Sequence, residues 1–144
     1  MAQHTLQVNG VRYHAEVEGS GLPLVLLHGF TGSSESWWQI RPALSKQFMT
    51  VTVDLLGHGL TEAPEDSQRY TMAFAAQDLA AIFSELQLSY THLLGYSMGG
   101  RLALYLALHH PTLVKTLILE SASPGLATEA ERADRIQSDE RLAR

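Results

Sequence analysis

Ser97 stands in the run Gly95-Tyr96-Ser97-Met98-Gly99, the residue types and spacing of a serine held on a tight turn between a strand and a helix. Such a turn lifts the hydroxyl above the sheet. Glycines two residues to either side are needed because side chains there would strike the neighbouring strand and helix. The helix N-terminus that follows adds unpaired amides and the positive end of a dipole, both favourable to negative charge. The chemistry on offer is nucleophilic attack or proton transfer through a serine oxygen. Two other runs have the character of site loops. His28-Gly29-Phe30 follows the apolar segment Leu24–Leu27, and Asp54-Leu55-Leu56-Gly57-His58-Gly59 follows Val51-Thr52-Val53. A histidine placed like His28 ordinarily holds its loop by hydrogen bonding, and Asp54 with its glycines shapes a turn near the serine. No His/Asp/Glu cluster has metal-ligand spacing, so neither a metal nor any other cofactor is expected.

These loops need a sheet to carry them. Leu6, Val8, Val11, Tyr13, Ala15 and Val17 alternate in strand fashion around Asn9-Gly10, a dipeptide suited to a two-residue type I′ hairpin. Leu24–Leu27 is apolar throughout, as a strand buried on both faces of a parallel sheet should be. Trp37, Ile40, Leu44 and Phe48 have helical spacing, with Ser36 as N-cap. Val51–Val53 is the next strand. Tyr70 to Leu86 reads as a helix with Phe74, Leu79, Ile82, Phe83 and Leu86 as its apolar stripe. A strand ending at Leu93-Leu94 runs into Gly95, an apolar helix through Leu102–Leu108 stops near Pro111, and Leu117-Ile118-Leu119 reads as another buried strand. Strands and helices thus alternate after the hairpin, which predicts a doubly wound, mostly parallel α/β sheet. In an elbow site of this kind, one oxyanion amide comes from the residue after the serine and one from the loop after the third strand. Those donors are Met98 and Phe30. Past Ser123 the character changes: Pro124-Gly125 breaks the pattern, and Thr128-Glu129-Ala130-Glu131 fits a capping box opening a charged, exposed helix.

Composition narrows the function classes. With net charge −5, the chain gives no support to nucleic-acid binding. Having no cysteine, it can form neither a disulfide nor a thiolate metal site. No apolar run approaches the ~20 residues that cross a bilayer, so no membrane partner is expected. The N-terminal Met1-Ala2-Gln3-His4 lacks the basic-then-apolar character of a cleaved leader, and a cytoplasmic chain is expected. Nothing in the sequence indicates an oligomeric state.

His28-Gly29-Phe30, the Asp54–Gly59 loop and the Ser97 elbow, in that order, resemble the α/β-hydrolase superfamily. The resemblance implies the N-terminal half of that fold over residues 1–123 and the start of a helical lid over 124–144. Within the superfamily, two features resemble the 2-succinyl-6-hydroxy-2,4-cyclohexadiene-1-carboxylate synthase family of menaquinone biosynthesis. One is Arg101, four residues after Ser97. The other is Glu120-Ser121-Ala122-Ser123-Pro124-Gly125-Leu126 followed by Glu131-Arg132-Ala133, Arg135 and Ser138-Asp139. That family's chemistry is elimination of pyruvate from a ring bearing several carboxylates. The resemblance implies a small polycarboxylate substrate, with Ser97 catalytic, Arg101 and Arg135 clamping carboxylates and Tyr96 lining the pocket. Arg101 would otherwise be a helix-surface ion pair and Arg135 a solvated charge. The family's second loop usually reads Asp-Leu-Pro-Gly-His-Gly-x-Ser, and Leu56 and Thr61 depart from it here. A triad in this fold follows the order Ser, acid, His. After Ser97 the histidines are His109 and His110 on the elbow helix, which points them away, so the acid and base are expected to lie outside this sequence. The chain alone is therefore expected to lack normal turnover. A serine ester hydrolase is the alternative activity.

Overall fold

The computed structural model describes residues 1–144. Six strands form one sheet: β1 (Ala2–Val8), β2 (Val11–Glu18), β3 (Pro23–Leu27), β4 (Met49–Val53), β5 (Thr91–Tyr96) and β6 (Val114–Glu120). Their spatial order is β1-β2-β4-β3-β5-β6. β1 and β2 are antiparallel, and β2 meets β4 antiparallel. The β4-β3-β5-β6 portion is parallel. The hairpin forms as read, with Asn9 and Gly10 at φ 48° and 79°, the left-handed pair that a type I′ turn requires.

Helices α2 (Met72–Glu85) and α3 (Met98–His109) cover one face of the sheet. Val25, Leu27, Val51, Val53 and Leu93 from the strands meet Leu79, Ile82, Phe83, Leu102 and Leu106 in the main core. On the opposite face Leu24 and Leu26 pack against Trp37, with Leu44 and Phe48 alongside. β3 is flanked by β4 on one side and β5 on the other. The chain therefore switches direction across it, and the crevice at the carboxyl ends of β3 and β5 is where open α/β sheets bind ligands.

Asp78 ties the hairpin to α2. It is fully buried and accepts hydrogen bonds from Tyr13 Oη at 2.6 Å, Asn9 Nδ2 at 2.8 Å and Arg69 Nη2 at 2.8 Å. Burial, reinforced by the carboxylate beside it, pushes the Tyr13 phenol well above its ordinary value and keeps it neutral.

Three features depart from the sequence reading. The single helix expected from Trp37 to Phe48 is two pieces, a 3-10 turn over Ser34–Trp37 and α1 (Arg41–Leu44). Pro42 has no N–H to continue a helix from the preceding turn and starts a new one instead. The cap is Ser33, not Ser36, whose hydroxyl reaches back to the Ser33 amide. Second, α2 begins at Met72, after Thr71 caps it, and Phe74 is exposed beneath the Arg69 guanidinium rather than in the core stripe. Third, β6 is not a buried strand. Ile118 and Leu119 are 47% and 40% exposed, because β6 pairs with β5 on one edge only. Thr61, which stands where the family's loop usually has serine, is buried. Its Oγ1 donates to Asp54 O at 2.6 Å and accepts from His14 N at 2.9 Å, a use of the hydroxyl common to both residue types. The charged C-terminal segment is the helix expected: α4 (Glu129–Leu142) opens on a Thr128/Glu131 capping box and buries no residue.

Candidate active site

Ser97 sits at φ 51° and ψ −112° between β5 and α3, a conformation that strains any residue with a Cβ. The glycines around it are enforced by backbone. A Cβ on Gly95 would lie 2.5 Å from Gly100 Cα, and one on Gly99 would collide with the carbonyls of Leu27 and His28. The Ser97 amide donates to Glu120 O at 3.0 Å, and Ser97 O accepts from Arg101 N at 3.1 Å, so sheet and helix hold the turn from both sides. Ser97 Oγ has no hydrogen-bond partner.

The loop after β3 closes over this serine. A Cβ on Gly29 would stand 2.9 Å from the Tyr96 ring and 3.4 Å from Ser97 Cβ. His28, fully buried, fixes the loop. Leu55 N donates to its Nε2 at 3.0 Å, so Nδ1 carries the proton and donates to Gly29 O at 2.8 Å. Burial lowers its pKa and keeps the ring neutral. Both ring nitrogens are committed, so His28 is no base for Ser97. Asp54 is equally committed: buried, it accepts from Ser34 N at 2.6 Å and Leu60 N at 2.8 Å, clamping two loops together. The N–H groups of Phe30 and Met98, by contrast, have no partner in the chain.

Two cavities open here: Phe30 is in the wall of both, and Met98 in the wall of the apolar one. One of about 270 Å³ is lined by Met98, Leu55, Leu56, Leu79, Leu102 and their neighbours, hydrophobic except for His58. The other, about 480 Å³, is more polar, with Thr31, Ser36, Gln39 and Tyr96 among its walls. Of the residues singled out from sequence, the structure gathers Ser97, Met98, Phe30 and Tyr96 at one crevice. Arg101 lies one helical turn on, in the wall of a third cavity of about 260 Å³ that shares only Met72 with the apolar one. Its guanidinium has no carboxylate partner, only Ser123 Oγ at 3.4 Å. Arg135 is not brought to the crevice: it is on α4, paired with Asp139 at 2.8 Å. His109 donates to the Tyr105 carbonyl and stacks on that ring at the far end of α3, clear of Ser97. On sequence, His58 belongs to a turn near the serine, with a direct catalytic role as the lesser reading. Its ring packs edge-on against Phe30 at 5.9 Å, a contact that no spacing rule signals.

A serine on a strained strand-to-helix turn at the switch point of a doubly wound sheet defines an α/β-hydrolase fold, and residues 23–143 match the alpha/beta hydrolase fold family. The chain belongs to that family. It is 45% identical over 137 residues to a protein of Bacillus subtilis named putative 2-succinyl-6-hydroxy-2,4-cyclohexadiene-1-carboxylate synthase, covering 94% of this chain and 50% of that one. To the synthase of that name from Pectobacterium atrosepticum it is 38% identical, over 83% of this chain and 46% of the relative. A soluble epoxide hydrolase of Corynebacterium is 36% identical, over 88% of this chain and 43% of the relative. Among solved structures, the epoxide hydrolase CorEH superposes with a TM-score of 0.84 at 34% identity, covering 89% of this chain and 44% of that chain. The chain spans about half the length of the curated relatives it matches.

Proposed function

We propose that this chain carries the serine side of a carbon–oxygen lyase that eliminates pyruvate from 2-succinyl-5-enolpyruvyl-6-hydroxy-3-cyclohexene-1-carboxylate. The observation that carries the reading is the 45% identity to the Bacillus subtilis synthase-named relative over nearly the whole chain, above that to the epoxide hydrolase. In this reading Ser97 takes part in removing a ring proton, tuned by a histidine and an acid from outside these residues. The electron pair moves into the ring, the carbon–oxygen bond to the enolpyruvyl group breaks, and the group leaves as the enolate of pyruvate, which becomes pyruvate on taking up a proton at its methylene carbon. The unpartnered amides of Phe30 and Met98 would stabilise the developing oxyanion, each donor contributing about 3 kcal/mol to barrier lowering. Arg101, with no carboxylate of its own, is available to a substrate carboxylate. Arg135 would have to exchange Asp139 for one. The reading places the enzyme in the cytoplasm.

The test is pyruvate release from the enolpyruvyl intermediate by a chimera joining this chain to the second half of the Bacillus subtilis relative. Release that Ser97→Ala abolishes supports the lyase. Efficient ester cleavage with no pyruvate would sink it. A serine hydrolase is the second reading, favoured by the apolar cavity that Met98, the residue after Ser97, helps to line. Rapid covalent labelling of Ser97 by a fluorophosphonate would support it, since the lyase needs a less activated serine.

A further inference from the structure

The apolar cavity has one polar feature that the site does not otherwise use. Its two tyrosines are spoken for: Tyr13 donates to Asp78 at 2.6 Å, and Tyr70 donates to Pro64 O at 2.8 Å. His58 Nδ1 lies 2.9 Å from Leu56 O. A carbonyl only accepts, so Nδ1 must carry the proton, and in the neutral ring Nε2 is left as a bare acceptor. No group in the chain donates to it. Among the nitrogen and oxygen atoms of the side chains lining the cavity, Nε2 alone is without a partner. The ring is held in place by its Leu56 bond and by its packing on Phe30 and His28.

From this we infer that the cavity is the seat of an alicyclic ring, and that His58 Nε2 accepts a hydrogen bond from a single hydroxyl on that ring. The volume fits. An apolar cavity of about 150 Å³ holds one benzene, and about 270 Å³ leaves a six-membered ring room for a substituent. The polarity fits too: a hydrophobic wall rejects carboxylates, and a lone acceptor selects a ring that donates once over one that does not. The inference rests on the lyase reading, in which the reacting molecule is a hydroxylated six-membered carbocycle. Its ring would lie on the apolar side of Phe30 with the hydroxyl inward, and its ring carboxylate and carboxylate-bearing arms would face the polar side, by Thr31, Gln39 and Tyr96. His58 is then a specificity-determining residue.

Cyclohexanol and cyclohexanone separate the ideas, being nearly the same size while only the alcohol donates. Each is titrated into the 144-residue chain while the methyl resonances of Met72 and Met98 and the imidazole nitrogens of His58 are followed by NMR. The expected result is saturable movement of both methyls, with the alcohol bound about two- to tenfold more tightly than the ketone. His58 Nε2 should shift with the alcohol. His58→Phe should keep ring binding and lose the preference, and His58→Gln, which still offers an acceptor, should retain it. Equal affinities for alcohol and ketone, a preference surviving in His58→Phe, or no saturable methyl shift would each overturn the assignment. No turnover enters the measurement. If it fails while the chimera still releases pyruvate, the ring seat is wrong and the lyase reading stands. If the alcohol preference appears and no pyruvate is released, the seat stands without the reaction.

Discussion

Replacing Ser97 with glycine should make the protein more stable than replacing it with alanine, the reverse of the usual order for these residues. At φ 51° and ψ −112° the serine occupies a region that a Cβ makes costly, at about 1–3 kcal/mol. Alanine keeps the Cβ and so keeps the strain, whereas glycine relieves it. Against this, glycine frees the unfolded chain and loses about 0.4–1 kcal/mol. The balance is a gain of about 0.5–2 kcal/mol for Ser97→Gly over Ser97→Ala. In a domain of this size that is about 1–8 °C in midpoint, read by circular dichroism on heating. The strain persists because the Glu120 carbonyl and the Arg101 amide grip the turn, and the glycines at 95 and 99 let β5 and α3 close on it. A glycine variant that melts at or below the alanine variant would refute the claim that the elbow stores strain.

Other contacts give sharper losses. Thr61→Val leaves the buried His14 N–H and one Asp54 carbonyl contact unmade and should cost about 2–4 kcal/mol in urea titrations, while Thr61→Ser should stay within about 1 kcal/mol of the parent. Asp78→Ala strips Tyr13, Asn9 and Arg69 of their shared acceptor and should cost about 3–5 kcal/mol. It should also raise amide exchange in the β1–β2 hairpin. His28 has a native pKa below its ordinary 6.5, so the unfolded chain binds its proton more readily. The stability it contributes is full above pH 6.5 and falls as pH drops from there toward the native pKa, by at most about 1.4 kcal/mol per pH unit. Urea midpoints at pH 7.5, 6 and 5 should show that fall, and His28→Asn should flatten it.

What could be read in the sequence was whatever the chain determines over a few residues. The Ser97 elbow is of that kind: its glycines, strand and helix are contiguous, and each glycine is demanded by backbone that the same short run creates. The Asn9-Gly10 turn and the Thr128 capping box are equally local. Misreadings arose where the answer belongs to a neighbour. The run Leu117-Ile118-Leu119 encodes a strand, but burial depends on what lies against β6: α3 packs on it, β5 pairs with one edge, and the other edge is unpaired. The helical spacing from Trp37 to Phe48 is real, yet Pro42 interrupts its hydrogen bonds and splits it. Asp78 looks like any helix-surface acid in its own segment; its three partners come from residues 9, 13 and 69. His58 is the most instructive case, because its motif marks a turn and says nothing of a free nitrogen. That property follows only once Leu56 O fixes the tautomer and Tyr13 and Tyr70 have turned their hydroxyls to other partners. Sequence can therefore locate a reactive group, but the chemistry a cavity accepts is set by which of its polar atoms the rest of the fold has already used.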